Sequence, residues 1–439
     1  MVFILYCLTN RLDWHLKYLH LQKNIKDSFF MTKAKYIKLI FILGSLTALG
    51  PFSIDMYLPG FEGIANDLNT TVAKVSMTLS SYFIGISAGQ LLYGPLLDRF
   101  GRKKPLFVGI LVYILASLGC AFVTNIDTFI GLRFIQAVGS CAAAVASVAM
   151  VRDLFPVKDI PKVFSLLMLV VGLSPMLAPT IGGYVTAYYG WHVVFLILMG
   201  LGIIILIGAM IELPNTYVPD TSISLKPKPI ITNFISILKE PQFYTYAFTG
   251  AVAFSGLFTY VAASPILFMT IFKVDPKTYG WIFAFMSLSF ISASQLNSLL
   301  LRRFKSEQMI FGALITQTTL SIIFLVAALN NWLGLYETIA LLFLFLACLG
   351  ISNPNTAGLT LAPFTRNAGS ASALMGAIQL GLGALASFLV GIFVIDSVVP
   401  MVVIMSITTI TAFVILNIGK RNIRKTIVNS SDEDVTMVH

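Results

Sequence analysis

Two ionisable residues stand well inside long apolar stretches. Asp55 lies in Pro51-Phe52-Ser53-Ile54-Asp55-Met56-Tyr57-Leu58-Pro59, and Arg133 in Leu132-Arg133-Phe134-Ile135-Gln136. A carboxylic acid placed this way can take up and release a proton, and a nearby guanidinium can bias when it does so. An arginine at the centre of an apolar helix costs roughly 2.5–3.5 kcal/mol on insertion scales. Arg133 is therefore expected to face a bundle interior and a carboxylate, and Asp55 is the partner the sequence offers. The structural alternatives are an arginine that snorkels to an interface and an acid that caps a helix end ahead of Pro59. Glu212, Glu337 and Asp396 fall only at the ends of apolar runs. Two further strings carry unusual chemistry. Gly94-Pro95-Leu96-Leu97-Asp98-Arg99-Phe100-Gly101-Arg102-Lys103-Lys104 sets an aspartate four residues before an arginine in a tight basic turn. Gly172-Leu173-Ser174-Pro175-Met176-Leu177-Ala178-Pro179-Thr180-Ile181-Gly182-Gly183 combines close-packing residues with two prolines that kink a helix.

Other chemistries have little support. None of His15, His20, His192 and His439 lies mid-run. Cys7, Cys120, Cys141 and Cys348 form no CxxC pair, and three of them read as small packing residues. No GxxxxGK[ST] phosphate loop is present.

The elements that must position these residues follow from composition. The chain is 57% hydrophobic and 11% charged, against roughly 25% charged in soluble proteins, so lipid is its solvent. Apolar runs fall at 36–58, 74–96, 105–124, 128–150, 163–187 and 192–212, then at 243–270, 279–301, 308–329, 336–360, 369–395 and 398–418. Each is near the roughly 20 residues that a spanning helix needs. The sequence thus predicts an all-α polytopic membrane protein of twelve transmembrane helices in two six-helix bundles. The expected divisions are an extension at 1–30, a first bundle at 31–212, a linker at 213–242, a second bundle at 243–418 and a tail at 419–439. Met31 opens a basic stretch before the first run and is the expected functional start, with an amphipathic surface segment as the other reading of residues 1–30.

With the N-terminus in the cytoplasm, 25 of the 29 lysines and arginines fall on the cytoplasmic side. Lys74, Lys273 and Lys277 fall outside, and Arg133 within a span. The positive-inside rule predicts this asymmetry. It also accounts for the net charge of +10 with no nucleic-acid partner. A shift of about 204 residues aligns Leu96-Leu97-Asp98-Arg99-Phe100 with Leu300-Leu301-Arg302-Arg303-Phe304, and Gly172 with Gly376. Six spans per half make the repeats parallel, with a site expected near midplane between them.

The 94–104 string resembles the loop signature of the major facilitator superfamily, G-x-x-x-D-R-x-G-R-[KR]-[KR], at every fixed position. The resemblance implies that Gly94, Asp98, Arg99, Gly101 and Arg102 gate conformational change. Asp98 would dock near a helix N-terminus of the other half, and Arg102 would exchange partners as the halves rock. The string at Arg133 resembles the fourth-helix motif R-x-x-Q-G-x-G of proton-coupled members, with Ala137 in place of the first glycine. Span 5 resembles the antiporter motif of drug-exporting members. It ends G-P-x-x-G-G there, and Ala178 here replaces the glycine before Pro179. Gly172, Pro175, Pro179, Gly182 and Gly183 inherit the packing role. Asp55 to Pro59, Met150-Val151-Arg152-Asp153-Leu154-Phe155 and Asn353-Pro354-Asn355 look like the bicyclomycin-resistance (Bcr/CflA) branch, and Asp153 joins the gating set. The resemblance covers roughly residues 31–418. It departs at Thr47, where many drug exporters carry a second acid.

The resemblance implies a proton-coupled antiporter of the inner membrane, with both termini cytoplasmic. It would export drugs or amphipathic small molecules by alternating access, as a monomer without cofactor. Asp55 and Arg133 are the expected proton-coupling pair. Polar and aromatic residues within spans supply the expected substrate cavity: Tyr57, Gln136, Tyr260, Asn355 and Gln379, with helix–helix hydrogen bonding as the alternative for the polar ones. An uptake symporter for a nutrient or siderophore is disfavoured by span 5. A membrane-embedded enzyme lacks an intramembrane histidine, and a transporter-derived sensor lacks a signalling domain. The topology is tested by cysteine labelling. Cysteines at Lys74 and Lys277 are expected to react with an impermeant reagent from outside and one at Lys103 is not; external labelling at 103 would overturn the assignment.

Overall fold

The computed structural model describes residues 33–214, 217, 219, 227–364, 368–393 and 397–423. The 1–30 extension, Met31, Asp396 and the tail beyond 423 lie outside them. Twelve helices are long and apolar enough to cross a membrane. They are α1 (Lys33–Asp55), α2 (Val72–Phe100), α3 (Lys103–Ala121), α4 (Ile126–Leu154), α5 (Ile160–Tyr189), α6 (Trp191–Glu212), α7 (Pro241–Pro265), α8 (Pro276–Leu300), α9 (Ser306–Leu329), α10 (Leu335–Leu361), α11 (Ala368–Phe393) and α12 (Val399–Lys420). No strand occurs among the described residues. Helices satisfy every backbone group within the segment, which hydrocarbon demands. Large apolar side chains such as Phe41, Val108, Ile204 and Leu329 point outward, as a lipid-facing surface requires.

Local chemistry sets the ends. The Thr71 side chain caps α2 by accepting from the Lys74 N–H, and Asn125 caps α4 by accepting from Thr128. Asp275 caps α8, accepting from the Lys277 and Thr278 N–H groups ahead of a proline in the first turn. The Thr278 hydroxyl and these amides hold the Asp275 carboxyl below its usual range. Gly101 and Gly190 stop α2 and α5 in the left-handed region, with φ of +83° and +81°.

The first apolar run is more broken than its hydropathy indicates. The α-helix ends at Asp55, and a 3-10 turn (Leu58–Gly60) and a short helix (Phe61–Asp67) follow. Pro59 carries no N–H, and in a continuing helix its ring would collide with the carbonyl of residue 55. The linker holds a helix at Pro227–Leu238. Its Ile237 packs with Phe243 and Ala247 of α7 and Ala371 and Leu374 of α11, which docks it on the second half.

The two halves repeat one another in packing. α2 lies on α4 as α8 lies on α10, α3 on α6 as α9 on α12, and α1 on α5 as α7 on α11. The halves meet along two seams, α2 with α11 and α5 with α8. The 204-residue shift carries Gly172, which faces Ile291 of α8, to Gly376, which faces Gln90 of α2. The parallel repeat thus exchanges one seam for the other.

The seams are tightest at the end opposite the basic 94–104 loop. A Cβ on Gly183 would lie 2.4 Å from the Pro276 carbonyl oxygen, and one on Gly280 would lie 2.8 Å from that of Pro179. A Cβ on Gly182 would lie 1.9 Å from the Met56 carbonyl oxygen, so α5 also clamps the break after α1. The Thr180 hydroxyl donates to the Gly280 carbonyl at 3.2 Å, Thr270 to Glu62 at 3.0 Å, and the Lys277 ammonium to the Tyr188 hydroxyl at 2.8 Å. These contacts cross between the halves and seal that end. Pro175 and Pro179 lie inside α5, where Ser174 and Thr180 hydroxyls bond back to the helix at 2.8 Å each.

Candidate functional site

The break after α1 creates the first part of the site. Four carbonyls at a helix C-terminus lack intrahelical donors. The Met56 N–H takes that of Phe52 at 3.0 Å. Arg133 of α4 takes that of Ser53, Nη2 to oxygen, at 2.9 Å. Its Nη1 donates to Gln136 Oε1 at 2.5 Å, one turn along the same helix. The guanidinium carbon lies 4.3 Å from the ring centroid of Tyr57 and 4.3 Å from that of Tyr82, with Phe195 at 5.8 Å. Arg133 is fully buried, and its Nε has no hydrogen-bond partner among the described residues.

Further polar contacts fix each of these partners. Gln136 Nε2 donates to Ser117 Oγ at 2.8 Å. The Ser53 and Tyr113 hydroxyls bond at 2.8 Å, Tyr57 with Thr78 at 2.7 Å, and Tyr82 with Ser140 at 2.8 Å. Residues from α1, α2, α3 and α4, with the Tyr57 turn, form one knot. No described carboxylate belongs to it, so the expected Asp55–Arg133 ion pair is absent. The positive charge is met by a carbonyl at a helix C-terminus, an amide oxygen and two aromatic faces. Tyr57 and Gln136, expected to line a cavity, belong to this knot and are wholly buried.

Asp55 sits two residues beyond the carbonyl that Arg133 holds. It is 5% exposed, and no described residue donates a hydrogen bond to it or forms a salt bridge with it. Its charge lies within electrostatic reach of the phenols of Tyr260 in α7 and Tyr279 in α8. Tyr260 stacks on Phe283 with centroids 5.5 Å apart, and its buried hydroxyl has no hydrogen-bond partner among the described residues. Tyr279 shares a 2.8 Å bond with Ser264. An acid from one half therefore lies within electrostatic reach of phenols of the other, with no salt-bridged cation among the described residues.

The remaining expected cavity residues separate. Asn355 Nδ2 donates to Asn297 Oδ1 at 2.7 Å and to the Ile351 carbonyl at 2.8 Å, a buried bond between α10 and α8. Gln379 Nε2 donates to Asn353 Oδ1 at 3.0 Å. Both line a cleft between α7, α10 and α11 with Tyr246, Thr356, Thr360 and Met375. Asn353, which the sequence reading did not single out as a site residue, thus stands beside one that it did.

At the basic end, the expected gating residues assemble. Arg102 bonds Asp98 at 2.5 Å and Asp153 at 2.7 Å, and its guanidinium lies 3.9 Å from the Tyr217 ring centroid. Burial works against its charge, but the hydrogen bonds to Asp153 and Asp98 outweigh this, and its pKa is raised. Arg99 lies over Phe100 at 5.9 Å, and a Cβ on Gly94 would meet nothing within 4 Å. In this conformation Asp98 bonds Arg102 within its own half, and residues 365–367, ahead of α11 of the other half, lie outside the described residues. Among the described residues no group of three or more His, Cys, Asp or Glu could hold a metal, and Cys120, Cys141 and Cys348 are buried free thiols.

Comparison with known proteins agrees with this architecture. The family model of the Major Facilitator Superfamily matches residues 43–388. The chain is 33% identical over 382 residues to the uncharacterized MFS-type transporter YdgK of Bacillus subtilis (strain 168), covering 86% of this chain and 94% of that one. It is 32% identical over 362 residues to a bicyclomycin resistance protein homolog of Haemophilus influenzae, covering 82% and 91%. Its fold matches the crystal structure of a D-xylose-proton symporter with a TM-score of 0.69 at 15% identity, over 91% of this chain and 99% of that one. The chain belongs to the Major Facilitator Superfamily, in its bicyclomycin-resistance branch.

Proposed function

We infer that this chain is a proton-coupled exporter of amphipathic small molecules, acting as a monomer in the cytoplasmic membrane with both termini inside. The observation that carries the coupling is Asp55, a buried carboxyl with no donor or counterion among the described residues, at a broken helix end within electrostatic reach of Tyr260 and Tyr279 of the other half. A carboxylate there gains little from fixed partners, so a proton is the natural species to neutralise it. Arg133 holds the break in shape through the Ser53 carbonyl and acts as a positioning residue. Cargo entering from the cytoplasm would release the proton inward, and reprotonation from outside would release cargo there. One charge moved across roughly 100 mV supplies about 2.3 kcal/mol, enough for a gradient of roughly fifty-fold per proton.

The Gly183 and Gly280 seam supports an outer seal. The Asp98–Arg102–Asp153 cluster supports a switch at the inner end. The fold is shared with a proton symporter, so it does not fix direction; export is favoured by the span 5 string and by the resistance relative. Tyr260 and the Gln379 cleft are the proposed cargo-facing groups of the second half.

Reconstituted into liposomes with an imposed pH gradient, the chain is expected to move members of a panel of amphipathic compounds against their gradients, with proton counterflow. Movement of no compound and no coupled proton flux would remove this reading. The positioning role has its own test in thermal unfolding. Arg133 and Tyr82 are expected to show a coupling energy above about 0.5 kcal/mol in a double-mutant cycle, and Arg133 and Asp55 one below it. A large Arg133–Asp55 coupling would restore the direct ion pair.

A further inference from the structure

Two buried polar groups, one from each half, lack a hydrogen-bond partner. The Asp55 carboxyl at the end of α1 has no donor among the described residues, and neither has the Tyr260 hydroxyl of α7 a partner there. A buried hydroxyl left unpaired costs free energy, and a buried carboxylate without a donor costs more. Of the two phenols within electrostatic reach of Asp55, Tyr279 already shares its hydroxyl with Ser264 at 2.8 Å. The hydroxyl of Tyr260 is uncommitted, and its ring is held against Phe283 of α8.

The repeat sets the two groups at one depth. The shift that carries Pro59 to Pro265 also carries Ser53 to Thr259 and Asp55 to Val261. Local structure keeps that register. Ser53 donates its hydroxyl to the Leu49 carbonyl at 2.6 Å, and Thr259 donates to the equivalent carbonyl of Ser255 at 2.9 Å. Both α-helices also end near the shared proline, α1 before a 3-10 turn and α7 before a π-helical turn at Ile266–Ile271. Parallel repeats are related by an axis along the membrane normal, so equivalent residues share a depth. Tyr260 precedes Val261 and so stands about 1.5 Å along its helix from the level of Asp55. That level is beside the sealed end, where Met56 meets Gly182.

We propose that Tyr260 locks the empty, ionised carrier with its outer end closed. When Asp55 has released its proton inward and no cargo is present, the Tyr260 hydroxyl donates to the carboxylate and ties α1 to α7. The phenol keeps its own proton throughout. Protonation of Asp55 removes the charge that makes this bond strong. Cargo that takes up the Tyr260 hydroxyl breaks it. The carrier therefore turns outward only after a proton or cargo has arrived. An exchanger needs such a rule. If the empty ionised form also turned outward, protons would run down their gradient and move no cargo. The lock rests on Asp55 as the proton carrier and adds the residue that keeps the exchange strict.

The test places the full chain in liposomes under an imposed pH gradient, with an entrapped pH dye and no cargo. Wild-type liposomes are expected to hold the gradient as protein-free ones do. Tyr260→Phe removes only the hydroxyl. It is expected to dissipate the gradient about tenfold faster, in line with the loss of one hydrogen bond to a charged group. The double variant Tyr260→Phe with Asp55→Asn is expected to hold the gradient again, which a merely loosened bundle would not do. Decay at the wild-type rate in Tyr260→Phe would overturn the lock, and so would a leak that persists in the double variant. If Tyr260→Phe does not assemble, Tyr260→Met decides by the same comparison. A tight Tyr260→Phe that still couples protons to cargo removes the lock and leaves Asp55 as the carrier. Cargo-dependent proton movement that survives Asp55→Asn removes the carrier and the lock with it.

Discussion

The guanidinium of Arg133 is held in an apolar bundle without a carboxylate, and the first half of the molecule is arranged around that constraint. A buried charge must find compensation within the protein, because hydrocarbon offers none. Two tyrosine faces, an amide oxygen and the Ser53 carbonyl provide it. The carbonyl is available because α1 stops at Asp55, and α1 stops there because Pro59 follows. The arginine and the break therefore stabilise each other. The break leaves Asp55 at a helix C-terminus, where the dipole gives a carboxylate no support, within electrostatic reach of Tyr260 and Tyr279 of the other half. Bicyclomycin-resistance relatives share the chain over most of its length, and the coupling proposed here needs only these local elements.

Parallel repetition turns this local device into a molecular one. The α2–α11 and α5–α8 seams are equivalent under the repeat, yet they are not equally tight along their length. Backbone approaches backbone at Gly183 and Gly280, where any side chain would prop the halves apart. At the basic end the first-half cluster of Asp98, Arg102 and Asp153 is closed on itself and braced against Tyr217. One end is closed by packing that only glycine permits, while the other holds the ion pairs of Arg102 with Asp98 and Asp153. Such an asymmetry suits a machine with two states of similar free energy.

Much of the architecture was legible in the sequence because lipid simplifies the code. Apolar run length and basic-residue bias located twelve spans and their six-plus-six division. The Asp98–Arg102 spacing and the paired glycines of span 5 were readable because a helix places residues four apart side by side, and because Gly182 and Gly183 have no substitute at a backbone contact. The partners of Arg133 were not readable. A free carbonyl leaves no mark in residue type, and Tyr57 and Tyr82 look like any core aromatics until the helices are set in register. Polarity points Gln136, and its ring Tyr57, to a cavity, but the arginine claims both. Asn353 was missed for the converse reason, since its pairing with Gln379 exists only through the register of α10 against α11.

The central claim is that Asp55 carries the proton. The most direct measurement follows luminal pH with an entrapped dye in liposomes containing the wild type or Asp55→Asn as cargo is added. Wild-type liposomes are expected to show cargo-dependent proton movement. The variant is expected to show none, while it still binds neutral cargo. Cargo-dependent proton movement by Asp55→Asn at near the wild-type rate would contradict the account.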